Sequence, residues 1–243
     1  MSEPVREEPP SRLITLLRRK DRPVCVMLPG AGGGLNPYLR LASYLGRSYS
    51  VYAVRAAGLV PGDTVEDSIA AMADSALSAL GDRTPDLVFG WSLGGTIGWE
   101  VCVRLADRGR RPDLVIVDSS PLPRHATADA DERIRKLIVA GLGPRPDEHT
   151  VARVERTFRA QVRALAGYAA DREYPGRALL LMCADADDGI SGRDVALRRW
   201  SELAPDLKTA TLDAGHYEVF DPAHLDRLTG EIGAFLGREQ GSR

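Results

Sequence analysis

The stretch Leu87-Val88-Phe89-Gly90-Trp91-Ser92-Leu93-Gly94-Gly95 decides the fold. Its apolar start predicts a buried strand, and residues 96–105 have the apolar periodicity of a helix. A Gly-x-Ser-x-Gly motif between a strand and a helix is typical of a nucleophile elbow, a sharp turn that points the serine hydroxyl out of the sheet. Gly90 and Gly94 lack a Cβ, so strand and helix can pass closely beside that turn. We therefore predict Ser92 as a nucleophile that faces the N-terminus of the following helix, where negative charge is favoured.

The composition is that of an ordinary globular protein, with 243 residues, 44% hydrophobic and 27% charged. A net charge of −2 gives no reason to expect nucleic acid as a partner. The three cysteines lack metal-ligand spacing and are predicted to be buried thiols in a reducing compartment. No apolar run is long enough to span a membrane, and the charged, Pro-rich start lacks the apolar core of a signal peptide. These features predict a cytoplasmic protein that does not bind membranes.

Strands and helices are predicted to alternate along most of the chain. Apolar runs typical of strands lie at residues 13–17, 23–28, 51–54, 87–89, 114–117, 178–183 and 209–212. Strands that are apolar throughout indicate a mostly parallel sheet with helices on both faces, an α/β architecture. We expect residues 1–12 and 238–243 to be tails and residues 13–237 to form one domain. An insertion at about 121–175, with helices predicted around 131–140 and 150–168, is predicted as a lid or substrate-binding subdomain. It follows the carboxyl end of a strand, where ligands bind in such sheets.

Two helix starts are predicted from capping patterns. Asn36 is the expected N-cap of a helix with Pro37 at its first position, which would place Leu39 on the inner side. Thr64 and Asp67 have the spacing of a capping box before the next helix.

A serine nucleophile needs a base, and His216 is the predicted one. It follows the last strand, in a Gly-His loop at the same sheet edge as the elbow, and fits the chain order Ser, Asp, His of this fold. The other three histidines are less suited to that role. They lie in the polar insertion or in the first turn of the last helix: His125, His149 and His224.

The acid that would orient His216 has two candidate locations. Asp118 ends the strand that follows the elbow helix, whereas Asp185 and Asp187 follow the next strand. Either location can reach a histidine at the carboxyl edge of the sheet, so residue positions alone leave the choice open.

Two backbone N–H groups are predicted to hold the oxyanion. Leu93, the residue after the nucleophile, supplies one, and the Gly-rich loop 29–34 supplies the other through Ala31. That loop is not a phosphate-binding loop, because it lacks the Gly-Lys-Ser/Thr ending.

Four segments give the chain a resemblance to a known family. They are Leu28-Pro29-Gly30-Ala31-Gly32-Gly33, Gly90-Trp91-Ser92-Leu93-Gly94-Gly95, Val117-Asp118-Ser119 and Gly215-His216-Tyr217. From about residue 13 to residue 236 the chain resembles the α/β-hydrolase thioesterases of nonribosomal peptide and polyketide synthases. The first two segments are specific in combination, and the last two are weak alone.

The resemblance implies a substrate held as a thioester on the phosphopantetheine arm of an acyl or peptidyl carrier protein. Ser92 would take the acyl group, and water or a nucleophile within the acyl chain would release it; no cofactor or metal bound to the chain itself is expected. In chain-terminating members the acid position corresponds to Asp118, and in editing members to Asp185 or Asp187. The Gly-Trp-Ser-Leu-Gly-Gly elbow resembles the chain-terminating kind, since editing members tend to carry Gly-His-Ser-Met-Gly. This favours Asp118 and chain release, and the initial Met favours a discrete enzyme that acts in trans.

Further hypotheses concern the partner and the activity. Carrier proteins are generally acidic, and Arg156, Arg159 and Arg163 lie on the polar side of the second insertion helix, where they would meet a carrier. Three other functions remain open: an editing thioesterase that removes stalled short acyl groups, a generic esterase, and a catalytically silent binding module. The set Ser92, Asp118 and His216 argues against the silent module, which needs none of these groups.

Overall fold

A computed structural model describes residues 11–184 and 192–237. Within these residues the chain forms one seven-stranded sheet in the order β1-β3-β2-β4-β5-β6-β7. Strand β1 pairs with β3 in antiparallel orientation, and the other pairings are parallel. The strands are β1 (Leu13–Leu17), β2 (Val24–Leu28), β3 (Ser50–Val54), β4 (Leu87–Trp91), β5 (Asp113–Val117), β6 (Arg177–Cys183) and β7 (Asp206–Leu212).

Helices cover both faces of this sheet. They are α1 (Leu39–Leu45), α2 (Ile69–Leu80), α3 (Leu93–Asp107), α4 (Ala128–Ala140), α5 (Glu148–Ala166), α6 (Arg193–Leu203) and α7 (Pro222–Phe235). One buried cluster packs α2, α3 and α6 on one face, with the rings of Trp99 and Trp200 4.8 Å apart. The other cluster packs α1 and α7 on the opposite face. The predicted α/β architecture is confirmed, and it follows from strands that are buried on both sides.

The parallel register brings the ends of β4 and β5 together. Trp91 pairs with Val117 at the carboxyl edge, and the Ser92 N–H donates to the Val117 carbonyl at 2.9 Å. The Asp118 N–H donates to the Leu181 carbonyl of β6 at 2.7 Å. Ser92 and Asp118 therefore leave adjacent strands at the same edge.

The segment between β5 and β6 contains the two predicted helices, α4 and α5. Helix α5 buries Val154 and Phe158 and packs against α2 and the 3-10 turn Ala57–Leu59. The insertion thus lies over the carboxyl edge of the sheet and contacts loops from the other half of the chain.

The predicted start of the first helix was wrong. Asn36 begins a 3-10 turn and makes no side-chain capping bond, and α1 begins only at Leu39. Leu39 is 55% exposed, and Leu41 is buried in its place beside Ala42 and Leu45. Residues 41, 42 and 45 lie within about 100° on a helical wheel, and Leu39 lies outside that arc.

The predicted capping box before α2 was also wrong. Ser68 is the N-cap, and its side chain accepts from the Ala71 N–H at 3.3 Å. The apolar face of α2 begins at Ile69, so the residue directly before it caps the helix. Thr64 lies four residues earlier and is exposed.

Within residues 11–184 and 192–237, no helix combines the length and the apolar character needed to cross a bilayer.

Candidate active site

Ser92 occupies a strained turn between β4 and α3. Its φ of 55° and ψ of −124° lie where non-glycine residues are uncommon. The neighbouring glycines make this turn possible. A Cβ on Gly90 would lie 2.1 Å from the Gly94 carbonyl oxygen, and a Cβ on Gly94 would lie 1.9 Å from the Leu28 carbonyl oxygen. The close passage that the two glycines predict is therefore present.

A buried carboxylate and imidazole lie beside the turn. The Nδ1 of His216 is 2.6 Å from Oδ2 of Asp118, and the two residues are 5% and 0% exposed. If Nδ1 carries the proton that Asp118 accepts, Nε2 is left with the lone pair that a general base requires. Among the residues that the structure describes, the candidate acid in contact with His216 is Asp118.

Asp118 is held by further contacts that fix its orientation. Its Oδ1 accepts from the Cys183 N–H at 2.9 Å, and Nη2 of Arg193 lies 3.9 Å from Oδ2. Burial opposes ionisation, but the hydrogen bond and charge of His216, the Cys183 N–H and the charge of Arg193 together outweigh it. The pKa of Asp118 is therefore held below its ordinary value, which keeps the side chain a carboxylate.

Trp91 supports the loop that carries His216. Its Nε1–H donates to the His216 carbonyl at 3.1 Å, and its ring centroid lies 4.9 Å from the imidazole centroid. The ring also fills the space above Gly30, where a Cβ would lie 2.6 Å from Trp91 carbons. Trp91 thus joins the elbow, the histidine loop and the Gly-rich loop, a role that the sequence motif did not reveal.

The two residues predicted to donate to the oxyanion border the same cleft. Leu93 is the first residue of α3, and both it and Ala31 line the cleft beside Ser92. In the Gly-rich loop, the amides of Gly30, Gly32 and Gly33 donate to protein oxygens. Among the residues that the structure describes, the Ala31 amide has no such partner, as a ligand-binding donor requires.

The cleft is enclosed partly by the insertion and has about 90 Å³ of space for solvent-sized atoms. Ser92, Asp118 and His216 line its floor. The rest of its wall comes mainly from the segment after β5 and from α4 and α5, including Leu122, Pro123, Ile134, Phe158, Val162 and Leu165. His125 and Arg124 lie at its rim, with Arg124 paired to Asp131 at 2.6 Å. Ser92, Asp118, His216, Leu93 and Ala31 therefore line one cleft, which has polar and apolar walls.

Two of the other predicted candidates, Asp185 and Asp187, are outside the described residues. His149 lies in the first turn of α5 and His224 in the first turn of α7, and neither lines the cleft.

Cysteine thiols and metal ligands are the other groups that could carry chemistry. Burial raises the pKa of the Cys102 and Cys183 thiols, so neither is disposed to ionise as a nucleophile or metal ligand. Over residues 11–184 and 192–237, no three His, Cys, Asp or Glu side chains are grouped so as to hold a metal ion.

A strand, a strained serine turn and a helix, with a buried Asp-His pair after later strands, define the serine-hydrolase class of α/β-hydrolase proteins. Within that class, the chain belongs to the thioesterase domain family, which matches residues 23–236. The family that the sequence resemblance indicated is confirmed.

The chain is similar to part of a large synthase and to thioesterases of about its own length. A non-reducing polyketide synthase of Pseudevernia furfuracea is 28% identical over 230 residues, which cover 86% of this chain and 11% of the synthase. The type II thioesterase BorB from the borrelidin biosynthetic cluster superposes with a TM-score of 0.74 at 21% identity, covering 95% of this chain and 99% of BorB. The NocB thioesterase domain, in covalent complex with a fluorophosphonate nocardicin G analog, superposes with a TM-score of 0.68 at 26% identity, covering 88% and 95%. The chain thus spans about a ninth of the curated synthase that it matches, and nearly the whole of the two thioesterase structures.

Proposed function

We propose that the chain releases an acyl or peptidyl group from the phosphopantetheine thioester of a carrier protein. The observation that carries the proposal is the 2.6 Å contact between His216 and Asp118 in a buried cleft that Ser92 also lines. Membership in the thioesterase domain family supports a thioester as the bond that is broken.

The proposed reaction has two steps, acylation of Ser92 and release of the acyl group. Ser92 Oγ attacks the thioester carbonyl carbon while His216 Nε2 takes the serine proton. The resulting oxyanion accepts from the Leu93 and Ala31 N–H groups. When the intermediate collapses, the C–S bond breaks and the leaving sulfur takes the proton from His216. Water, or a nucleophile within the acyl chain, then attacks the Ser92 ester with the same base, and Ser92 regains its proton.

Two features bear on the size of the acyl group. The contact of His216 with Asp118, directly after β5, matches the layout that the resemblance assigns to chain-terminating members, which favours release of a finished chain. The structural similarity to the type II thioesterase BorB keeps a second candidate function, the removal of short stalled acyl groups.

The test uses carrier-bound acyl thioesters of increasing length, with release of the carrier thiol as the readout. Ser92→Ala gives the background rate, and an oxygen ester of the same acyl group tests the generic esterase. Turnover that rises with chain length supports chain release, whereas preference for acetyl or propionyl supports the editing function. Oxygen-ester hydrolysis without thioester hydrolysis would refute the proposal.

The carrier would dock on the exposed side of α5. Arg156, Arg159 and Arg163 are all exposed there, although Arg159 pairs with Glu155 at 3.1 Å. Reversing the three charges should slow turnover of carrier-bound substrate and leave a small thioester unaffected, because only the carrier meets this surface. Arg110→Glu, at an exposed position near the amino end of β5, is the control. Equal rates on the carrier-bound substrate would exclude this docking surface.

A further inference from the structure

Gln161 is a buried polar side chain in the middle of α5, only 3% exposed. Its Oε1 accepts from the backbone N–H of Gly32 at 2.8 Å, across 129 residues of sequence. A backbone N–H can only donate, so the facing atom of the amide is its oxygen. The contact links the insertion directly to the Gly-rich loop that carries the predicted oxyanion donor.

The Gly-rich loop at this point is a tight turn. The Gly33 N–H donates to the Gly30 carbonyl at 3.0 Å, and Gly32 has a φ of 85°. A positive φ at the third residue is the signature of a type II turn. The Gly30 carbonyl is thereby fixed, and because the peptide is trans, the Ala31 N–H points to the opposite side of the same plane.

The next peptide plane of the turn is fixed by Gln161. The Gly32 N–H belongs to the central peptide, between Ala31 and Gly32, whose orientation distinguishes type II from type I turns. The direction of the Ala31 N–H within the turn is set by the preceding peptide, between Gly30 and Ala31. Gln161 acts on it by anchoring the whole turn to α5 through the Gly32 N–H. Without this contact the turn would be free to shift relative to Ser92, and the Ala31 N–H would shift with it. Helix α4 reinforces the arrangement, since Ile138 packs where a Cβ on Gly32 would lie, at 2.6 Å.

We propose that Gln161 is a positioning residue, which holds the turn so that the Ala31 N–H points into the cleft. The inference rests on the proposed function, because an oxyanion forms there only if Ser92 attacks a carbonyl group. Gln161 does not touch the reacting atoms. It acts through Gly32, and through it the insertion helix α5 contributes to transition-state stabilisation as well as to the wall of the cleft.

The test replaces Gln161 with Met, which has similar volume and no comparable acceptor, and with Ala, which leaves room for water beside Gly32. We expect kcat to fall about 10- to 100-fold with little change in KM, because a misplaced donor weakens binding of the transition state and not of the ground state.

Thr157→Val is the matched control. Thr157 is 1% exposed and lies one turn earlier on α5, and within the described ranges its buried hydroxyl has no hydrogen-bond partner. The change therefore alters packing on the same helix without removing a contact to the loop, and kcat should remain unchanged.

A second readout, hydrogen exchange of the Gly32 amide, needs no turnover. Gly32 should be protected in the wild type and in Thr157→Val, and should exchange faster in both Gln161 variants. Unchanged protection, unchanged kcat in both Gln161 variants, or an equal loss of kcat in Thr157→Val would each overturn the inference.

Failure of the proposed function would be recognised separately. If the wild type turns over no thioester, the rate at which a fluorophosphonate labels Ser92 replaces kcat, because the phosphonyl oxygen uses the same donors. Slower labelling in the Gln161 variants would support their positioning role without a thioester substrate, and equal labelling would refute it.

Discussion

Replacing Gly94 with Ala tests whether close backbone passage at the elbow sustains the site. The new Cβ would lie 1.9 Å from the Leu28 carbonyl oxygen and 2.8 Å from that of Pro29. Ordinary van der Waals contact begins at 3.4 Å, so α3 or the end of β2 must move by about 1.5 Å. These obstacles are backbone atoms, which cannot rotate away as a side chain can.

The expected loss follows from what that movement displaces. The start of α3 carries the Leu93 N–H, and the backbone after β2 leads to Ala31, so both predicted oxyanion donors shift. A displacement of about 1 Å costs roughly 100-fold in rate, and we expect kcat/KM to fall by at least about that factor. The overpacked contact should also lower the free energy of unfolding by about 1–3 kcal/mol, or the melting temperature by about 2–4 °C per kcal/mol.

Gly98→Ala is the matched control, one turn further along α3. The three atoms nearest to its Cβ would be side-chain carbons of Val88, Leu114 and Leu28, at 3.3 to 3.5 Å. Replacing a helical glycine with alanine gains about 0.5–1 kcal/mol, so stability should be equal or higher and activity retained. Thermal melting and thioester hydrolysis measure both variants. A Gly94→Ala protein as stable and active as Gly98→Ala would refute the reasoning.

Three further predictions concern a cap, a ring and a titration. Ser68→Ala should lower the free energy of unfolding in urea by about 1 kcal/mol, because it removes the cap of α2, while Thr64→Ala should not; equal effects would contradict the assignment. Trp91→Phe keeps an aromatic ring but loses the hydrogen bond to the His216 carbonyl. It should lower the free energy of unfolding by about 1 kcal/mol and should change kcat more than KM. An unchanged free energy of unfolding together with an unchanged kcat would exclude a role for that bond. The folded-state pKa of Asp118 is lowered, so its carboxylate stabilises the fold fully above the ordinary value near 3.9, and this contribution is lost as the pH falls through the folded value. The stability difference between wild type and Asp118→Asn in urea should therefore shrink below about pH 4, and a difference independent of pH would argue against the ionised pair.

The elbow could be predicted because its requirements are local. A strand, a strained serine and a helix must share a few residues, and only glycines at positions 90 and 94 allow the backbone to pass. The parallel sheet could be predicted for a similar reason, since strands buried on both faces are apolar throughout.

The acid could not be chosen from sequence position alone. Asp118 and the later aspartates follow neighbouring strands in the sequence, so their positions along the chain do not distinguish them. Contact with His216 depends on the turn after β5, where Asp118 takes a φ of 43° that no sequence pattern indicated.

The supporting contacts were missed because they are long-range. Trp91 meets the His216 carbonyl across 125 residues, and Gln161 meets Gly32 across 129. Such pairs depend on how the insertion and the last loop fold back over the sheet. The cap of α2 differs, since Ser68 directly precedes the first apolar residue of the helix and was available as a signal.

The most direct test of the account is thiol release from an acyl thioester by the wild type and by Ser92→Ala, Asp118→Asn and Asp187→Asn. We predict that Ser92→Ala and Asp118→Asn each lower turnover by about 10⁴-fold, because the nucleophile or the histidine's orienting carboxylate is lost, and that Asp187→Asn retains turnover. Retained turnover in Asp118→Asn together with collapse in Asp187→Asn would contradict the account and move the acid to the segment after β6.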